Sequence, residues 1–144
     1  MTVRTGVIGE FSVTSPINGG VWLPTLLVMR PSRMREILAA LLTSMPHVHL
    51  LPMADDARQA LAQFSTEPPD VLMIDWDLSD GGALELLRRV KADYPAARCV
   101  MLVNSYQAEL MSRSALADAV LFKGFSVNDL LGVMSRIWHE RPRA

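Results

Sequence analysis

The chain of 144 residues has a formal net charge of −1, an apolar content of 50% and a single cysteine. This length suits one domain whose core needs no covalent cross-links. One cysteine excludes an internal disulfide, which indicates a reducing, cytoplasmic setting. The near-balanced charge, with basic residues scattered along the chain, argues against direct nucleic-acid binding by this domain. No apolar run is long enough to cross a bilayer, so we expect no membrane association.

Residues 1–24 form an extension with few charges and several turn-forming residues, including Pro16 and Asn18-Gly19-Gly20. Alternating apolar residues on either side of Asn18-Gly19 are typical of a hairpin. A loosely ordered extension is an equally acceptable interpretation, because chain termini are often poorly ordered. The segment lacks the basic start and sustained apolar run of a signal peptide. We therefore predict a domain at residues 25–140.

Five short apolar runs alternate with five amphipathic segments in the predicted domain. Strands are predicted at residues 25–29, 47–53, 71–74, 98–103 and 119–122, and helices at 33–45, 54–66, 84–92, 107–116 and 127–137. This alternation predicts a doubly wound, three-layer α/β fold with a parallel sheet. The carboxyl ends of the strands then meet at one edge, where such sheets hold their ligands.

The most informative stretch is the apolar run 71–74, which ends in Asp75, Asp77 and Asp80 followed by two glycines. Consecutive apolar residues are typical of a strand that is covered on both faces. Asp75 therefore lies at the carboxyl end of a buried strand, where a carboxylate is a candidate for chemistry. The side chains expected at the same edge follow the other strands: Met29, Arg30, Asn104, Ser105 and Lys123.

Two other sets of reactive side chains have simpler interpretations. His47 and His49 are expected on one face of a strand and could share a metal ion. With no carboxylate or cysteine nearby in the sequence, two half-exposed strand histidines are the favoured interpretation. Cys99 lies inside an apolar run, so we predict a small core residue rather than a reactive thiol.

Residues 25–138 resemble the response-regulator receiver domain. The resemblance is carried by Val71-Leu-Met-Ile-Asp75-Trp-Asp-Leu, Leu84-Glu-Leu-Leu-Arg-Arg and Ala117-Asp-Ala-Val-Leu-Phe-Lys123-Gly-Phe125. It implies a flavodoxin-like (βα)5 fold with strand order 2-1-3-4-5. It also implies that Asp75 accepts a phosphoryl group from a histidine kinase and that Lys123 pairs with the phosphate. A residue at the position of Asn104, next to Ser105, then turns toward the phosphate to signal.

The chain departs from the family pattern around Asp75. Met29 and Arg30 stand where the family has an acidic pair that holds Mg²⁺, Asn104 replaces a hydroxyl residue, and Ser79 and Gly124 replace prolines. Mg²⁺ takes carboxylate, phosphate and water oxygens, which neither a thioether nor a guanidinium provides. We therefore expect no bound Mg²⁺ and no other cofactor, and hence much slower phosphoryl transfer.

Three arrangements around the acceptor position follow from these departures. The one we favour is a fixed ion-pair cluster in which Arg30 and Lys123 surround Asp75 in place of the metal. A second is that Asp77 or Asp80 supplies a substitute metal ligand. The plainest is that Asp75 and Lys123 only neutralise one another at the edge of the sheet.

The sequence thus predicts an atypical receiver that acts as a protein-interaction module, not an enzyme, in two-component or transcriptional signalling. In the family, the fourth helix, fifth strand and fifth helix form the usual partner or homodimer face, which here includes Tyr106, Met111 and Phe125. The alternative function is a phospho-accepting receiver that uses Asp75. A nucleotide binder is disfavoured because Arg30-Pro31-Ser32 replaces a glycine-rich loop, and no hydrolase motif occurs.

Overall fold

The computed structural model describes residues 22–141, in which five strands alternate with five helices. The strands are β1 (Leu23–Val28), β2 (Val48–Leu50), β3 (Val71–Asp75), β4 (Arg98–Val103) and β5 (Ala119–Phe122), and the helices are α1 (Arg33–Thr43), α2 (Ala57–Thr66), α3 (Ala83–Asp93), α4 (Tyr106–Ser114) and α5 (Val127–Glu140). All neighbouring strands are parallel, in the order β2-β1-β3-β4-β5. The predicted flavodoxin-like topology is therefore confirmed.

The core consists of two apolar layers, one on each face of the sheet. Leu26 and Ile74 face the layer beneath α2, α3 and α4, while Leu27 and Met73 face the layer beneath α1 and α5. Every residue of β3 is buried, which explains why residues 71–74 are continuously apolar rather than alternating. Cys99 is also in the core, and burial raises the pKa of its thiol to about 12.

The register of the sheet brings the strand ends together. Val28 in β1 pairs with Ile74 in β3, and Asp75 pairs with Leu102 in β4. Val103, the last residue of β4, pairs with Phe122 in β5. The residues that follow β1, β4 and β5 therefore emerge beside Asp75 at the carboxyl edge.

Eight of the ten elements differ from the sequence prediction by one to three residues at one or both ends, as β1 and β2 illustrate. β1 begins at Leu23, before the boundary we placed at residue 25, because the Leu23 N–H donates to the His47 carbonyl at 2.7 Å and Pro24 pairs alongside His49. β2 is shorter than predicted, since His47 has a φ of 72° and is not extended. The hairpin considered for the N-terminal extension falls almost entirely outside the described residues.

Side-chain caps begin four of the helices. Ser32 accepts a hydrogen bond from the Arg35 N–H at the start of α1. Ser126 and Asp129 form a capping box at the start of α5. Asp56 and Ser105 cap α2 and α4 in the same way. None of the helices within residues 22–141 is both long and apolar enough to traverse a lipid bilayer.

His47 and His49 contact different aromatic neighbours. The His47 ring stacks on Trp138 of α5 with centroids 3.7 Å apart, and the Arg141 guanidinium lies 3.3 Å from the centre of the same indole. His49 lies beside Trp22, with Nε2 3.5 Å from a Glu67 oxygen. Across residues 22–141 no group of three or more His, Cys, Asp or Glu side chains could hold a metal ion.

Candidate functional site

Asp75, the last residue of β3, is the buried carboxylate of the candidate site, with only 4% of its surface exposed. Its Oδ1 accepts a hydrogen bond from the Asp77 N–H at 3.1 Å and lies 2.7 Å from Lys123 Nζ. A buried carboxylate is costly unless it is paired and hydrogen-bonded. The backbone N–H and the ammonium group together meet that requirement.

Lys123 is the cation of the site and follows β5 directly. Its N–H donates to the Val103 carbonyl at 2.7 Å, which fixes the backbone beside the end of β4. Its Nζ lies 2.7 Å from Asp75 Oδ1 and 2.7 Å from Asp77 Oδ2. Burial alone would lower the pKa of Lys123, but the hydrogen bonds and charges of the two aspartates outweigh it and raise the pKa. The ammonium group therefore stays charged between two carboxylates.

Asp77 joins the segments that follow three strands. Its Oδ2 accepts the hydrogen bond from Lys123 and a second one from Asn104 Nδ2 at 3.1 Å. From the sequence, Asp77 is expected to be a loop neighbour of Asp75 or a substitute metal ligand. Its position two residues after Asp75 indicates that it lies near the site, but its bonds to Lys123 and Asn104 depend on the path of the loop.

The positions that follow β1 do not enter the cluster. Met29 is buried in the apolar layer beneath α1 and α5. Arg30 is exposed and forms no ion pair within residues 22–141. The expected cluster, in which Arg30 and Lys123 both contact the Asp75 carboxylate, is therefore not what the structure shows. Lys123 alone already contacts both carboxylates, and an exposed guanidinium gains little by leaving water.

A different arginine contacts this part of the sheet edge. Arg35 of α1 donates from Nη1 to the Met29 carbonyl at 3.1 Å and to Asp55 Oδ1 at 2.5 Å. Asp55 follows β2, and Arg35 lies in the first turn of α1, so the ion pair ties α1 to the neighbouring strand end. The sequence alone does not predict the ion pair between Arg35 and Asp55, although a carboxylate just after a strand indicates a charge at this edge of the sheet.

The remaining predicted residues have structural contacts or lie in solvent. Asp80 accepts from the Gly82 N–H at 3.1 Å and the Ala57 N–H at 3.3 Å, so its two oxygens serve the starts of α3 and α2. Ser105 Oγ accepts from the Ala108 N–H at 3.0 Å as the cap of α4. Ser79 is exposed. Gly124 has a φ of 96°, which the ring of a proline excludes.

Comparison with known protein families identifies the family of this chain. A family model described as the response regulator receiver domain matches residues 27–135. The chain belongs to the receiver domain family. Asp75, Asn104 and Lys123 lie within the matched range, at the ends of β3, β4 and β5.

Relatives of this receiver include regulators and solved receiver structures. It is 31% identical over 99 residues to the DNA-binding transcriptional activator DevR/DosR of Mycobacterium tuberculosis, covering 69% of this chain and 44% of that protein. It is 33% identical over 97 residues to the transcriptional regulatory protein TrcR of the same organism, covering 62% of this chain and 38% of that protein. The receiver domain of NtrX from Brucella abortus superposes with a TM-score of 0.71 and 26% identity, covering 81% of this chain and 98% of that one. The chain thus spans less than half the length of these two regulators.

Proposed function

We propose that this receiver is a protein-binding module of two-component or transcriptional signalling whose binding state does not depend on Mg²⁺-dependent phosphorylation. The observation that carries the proposal is the position of Lys123 Nζ, 2.7 Å from both Asp75 and Asp77. The ammonium group offsets one of the two negative charges of the carboxylates that a divalent cation would otherwise bind.

The side chains around Asp75 support the part of the proposal that concerns Mg²⁺. Octahedral Mg²⁺ binding requires several oxygen ligands. After β1 the chain offers the buried thioether of Met29 and the exposed guanidinium of Arg30. Both oxygens of Asp80 accept hydrogen bonds from backbone N–H groups. These residues do not fit the ion, and we propose that it takes no part in the function.

The proposed partner surface is formed by α4, β5 and α5. Its exposed apolar side chains are Tyr106, Leu110, Met111, Phe122 and Val127. Tyr106, at the start of α4, is 68% exposed, and Phe125 is partly buried and packs against the layer beneath α5. Contiguous exposed apolar patches mark interaction surfaces. We propose a protein partner, and a second copy of the chain is the form to test first.

Phospho-acceptance by Asp75 is the second candidate function. The observation that favours it is a buried carboxylate at the end of β3 with an ammonium group 2.7 Å away. A histidine kinase would then be the donor, and Lys123 would partly neutralise the incoming phosphoryl oxygens. The exposed Arg30 offers no oxygen ligand for the cation that normally assists such transfer.

Incubation with acetyl phosphate and Mg²⁺, followed by intact mass measurement, separates the two candidates. We expect the wild-type chain to gain no phosphoryl group. A stable gain of one group on the wild type, absent in Asp75→Asn, would reverse the ranking. We also expect the self-association of the wild type, measured by sedimentation velocity, to be the same before and after this incubation. A gain of one phosphoryl group accompanied by a change in assembly would contradict a phosphorylation-independent binding state.

The wider setting is part of the same proposal. The names of the two Mycobacterium tuberculosis relatives describe transcriptional regulators, so we propose a role in transcriptional signalling without direct nucleic-acid contact by this domain. The buried free thiol of Cys99 suits a reducing cytoplasm. We propose a binding role rather than an enzymatic one for the site at Asp75.

A further inference from the structure

We infer that Asp77 is a built-in anion that holds the site-facing ends of the proposed partner surface in one fixed arrangement. This inference rests on the proposed function and deepens it, because it names Asp77 as the anion that takes the place of an added phosphoryl group. The claim concerns one carboxylate and its two donors, Lys123 and Asn104.

The first step is the convergence of two donors on one oxygen. Asp77 Oδ2 accepts from Lys123 Nζ at 2.7 Å and from Asn104 Nδ2 at 3.1 Å. These donors lie 46 and 27 residues away in the chain and follow different strands. Hydrogen bonds that involve a charged group are stronger than neutral ones. One side chain therefore joins the segments after β3, β4 and β5.

The second step is the balance of charge. Asp75 and Asp77 bring two negative charges, and within residues 22–141 Lys123 is the one cation in contact with both. Phosphorylation of Asp75 would replace its single negative charge with the roughly two charges of an acyl phosphate, a net gain of about one. The phosphoryl oxygens would have to draw Lys123 and Asn104 away from Asp77. Asp77 thus competes for the donors that an added anion would need.

The third step connects the site to the partner surface. Asn104 directly precedes Ser105, the cap of α4, and Tyr106 begins that helix. Lys123 directly follows Phe122, the exposed last residue of β5. Holding the two donors therefore fixes the starting position of α4 and the end of β5. Both elements carry exposed apolar residues of the proposed surface.

Amide hydrogen exchange in Asp77→Ala tests the inference at defined groups. The Ala108 N–H donates to Ser105 Oγ at 3.0 Å, and the Lys123 N–H donates to the Val103 carbonyl at 2.7 Å. We expect both amides to exchange at least about tenfold faster in this variant, because charge-assisted hydrogen bonds stabilise these segments. The Tyr94 N–H at the far end of α3 should keep its rate. Unchanged rates at both reporter amides would overturn the inference.

Two further variants keep the test decisive if Asp77→Ala unfolds. Asp77→Asn retains an oxygen acceptor for Asn104 but loses the charge that holds Lys123, so exchange should rise more at Lys123 than at Ala108. Equal rates in Asp77→Asn and the wild type would contradict the inference. Asp93→Asn removes the same charge from an exposed helix position and serves as the matched control.

Self-association distinguishes failure of this inference from failure of the proposed function. We expect Asp77→Ala to associate at least about tenfold more weakly than the wild type, and the wild type to associate equally well with and without acetyl phosphate and Mg²⁺. If Asp77→Ala associates like the wild type and the wild type is insensitive to the phosphodonor, the inference is wrong and the proposed function stands. If the wild type gains a phosphoryl group and its association changes with it, the proposed function itself fails.

Discussion

The Asn104 side-chain amide donates to Asp77 Oδ2 at 3.1 Å, across 27 residues of sequence. From its resemblance to receiver domains, the sequence predicts that the residue at position 104 turns toward phosphate. In this chain the amide is held by an aspartate instead. The bond links the segments after β3 and β4 without any added group.

Lys123→Met is expected to destabilise the domain by about 2 to 4 kcal/mol, because it leaves the buried Asp75 carboxylate without its counter-charge. Urea denaturation measures the loss. The double variant Lys123→Met with Asp75→Asn should recover part of it, since the uncompensated charge is then gone. A loss below about 0.5 kcal/mol in the single variant, the range of ordinary surface substitutions, would contradict the pairing seen here.

Arg30→Ala and Arg35→Ala form a matched pair near the end of β1. We expect Arg30→Ala to change the free energy of unfolding by no more than about 0.5 kcal/mol, because the side chain is exposed. Arg35→Ala should cost about 1 to 3 kcal/mol through loss of its bonds to Asp55 and the Met29 carbonyl. Equal effects in thermal unfolding would show that the two arginines were assigned the wrong roles.

Gly124→Ala and Gly132→Ala should change stability in opposite directions. Gly124 has a φ of 96°, so a Cβ there is strained, and we expect a loss of about 1 to 2 kcal/mol. Gly132 lies in α5 with open space where a Cβ would be added. Alanine at that position should gain about 0.5 to 1 kcal/mol by helix propensity. Chemical denaturation of both variants checks the signs.

Tyr106→Asp should weaken self-association, because it places a charge in the centre of the proposed partner surface. Ile37→Asp is the matched control, since Ile37 is an exposed apolar residue of α1, outside that surface. Sedimentation equilibrium across a concentration series should show a loss of at least about tenfold for the first variant only. Equal losses in both variants would locate the interface elsewhere.

Lowering the pH is expected to weaken the domain through His47. Burial, together with the charges of Arg141 and His139, lowers the pKa of His47. The unfolded chain, with a histidine pKa of about 6.5, then takes up the proton first as the pH falls. Stability should therefore decline between about pH 7 and the lower pKa of the folded state. His47→Asn, which tolerates the left-handed backbone at this position, should reduce the pH dependence of the urea midpoint.

The sequence predicts the sheet well because burial is encoded locally. The runs 98–103 and 119–122 match β4 and β5 residue for residue, since both are apolar apart from Arg98 and each ends at a polar residue, Asn104 or Lys123. The end of β3 at Asp75 follows from the same pattern. The start of β1 was placed two residues late, because Pro24 reads as a break although it lies within the strand.

The contacts within the candidate site could not be read from the sequence in the same way. Residue types at strand ends show which charges meet at the edge, but the paths of the loops decide which charges pair. Arg30 and Asp77 were both near Asp75 in the expected arrangement. Only Asp77 bends back to Lys123 and Asn104, whereas Arg30 extends into water.

The indole of Trp138 contacts the His47 ring and the Arg141 guanidinium. These contacts hold the last turn of α5 at the edge of the sheet opposite to Asp75. The 14 residues of α5 span about 21 Å at the usual helical rise. A fluorophore attached at the end of this helix would report on assembly while leaving Asp75 and Asp77 undisturbed.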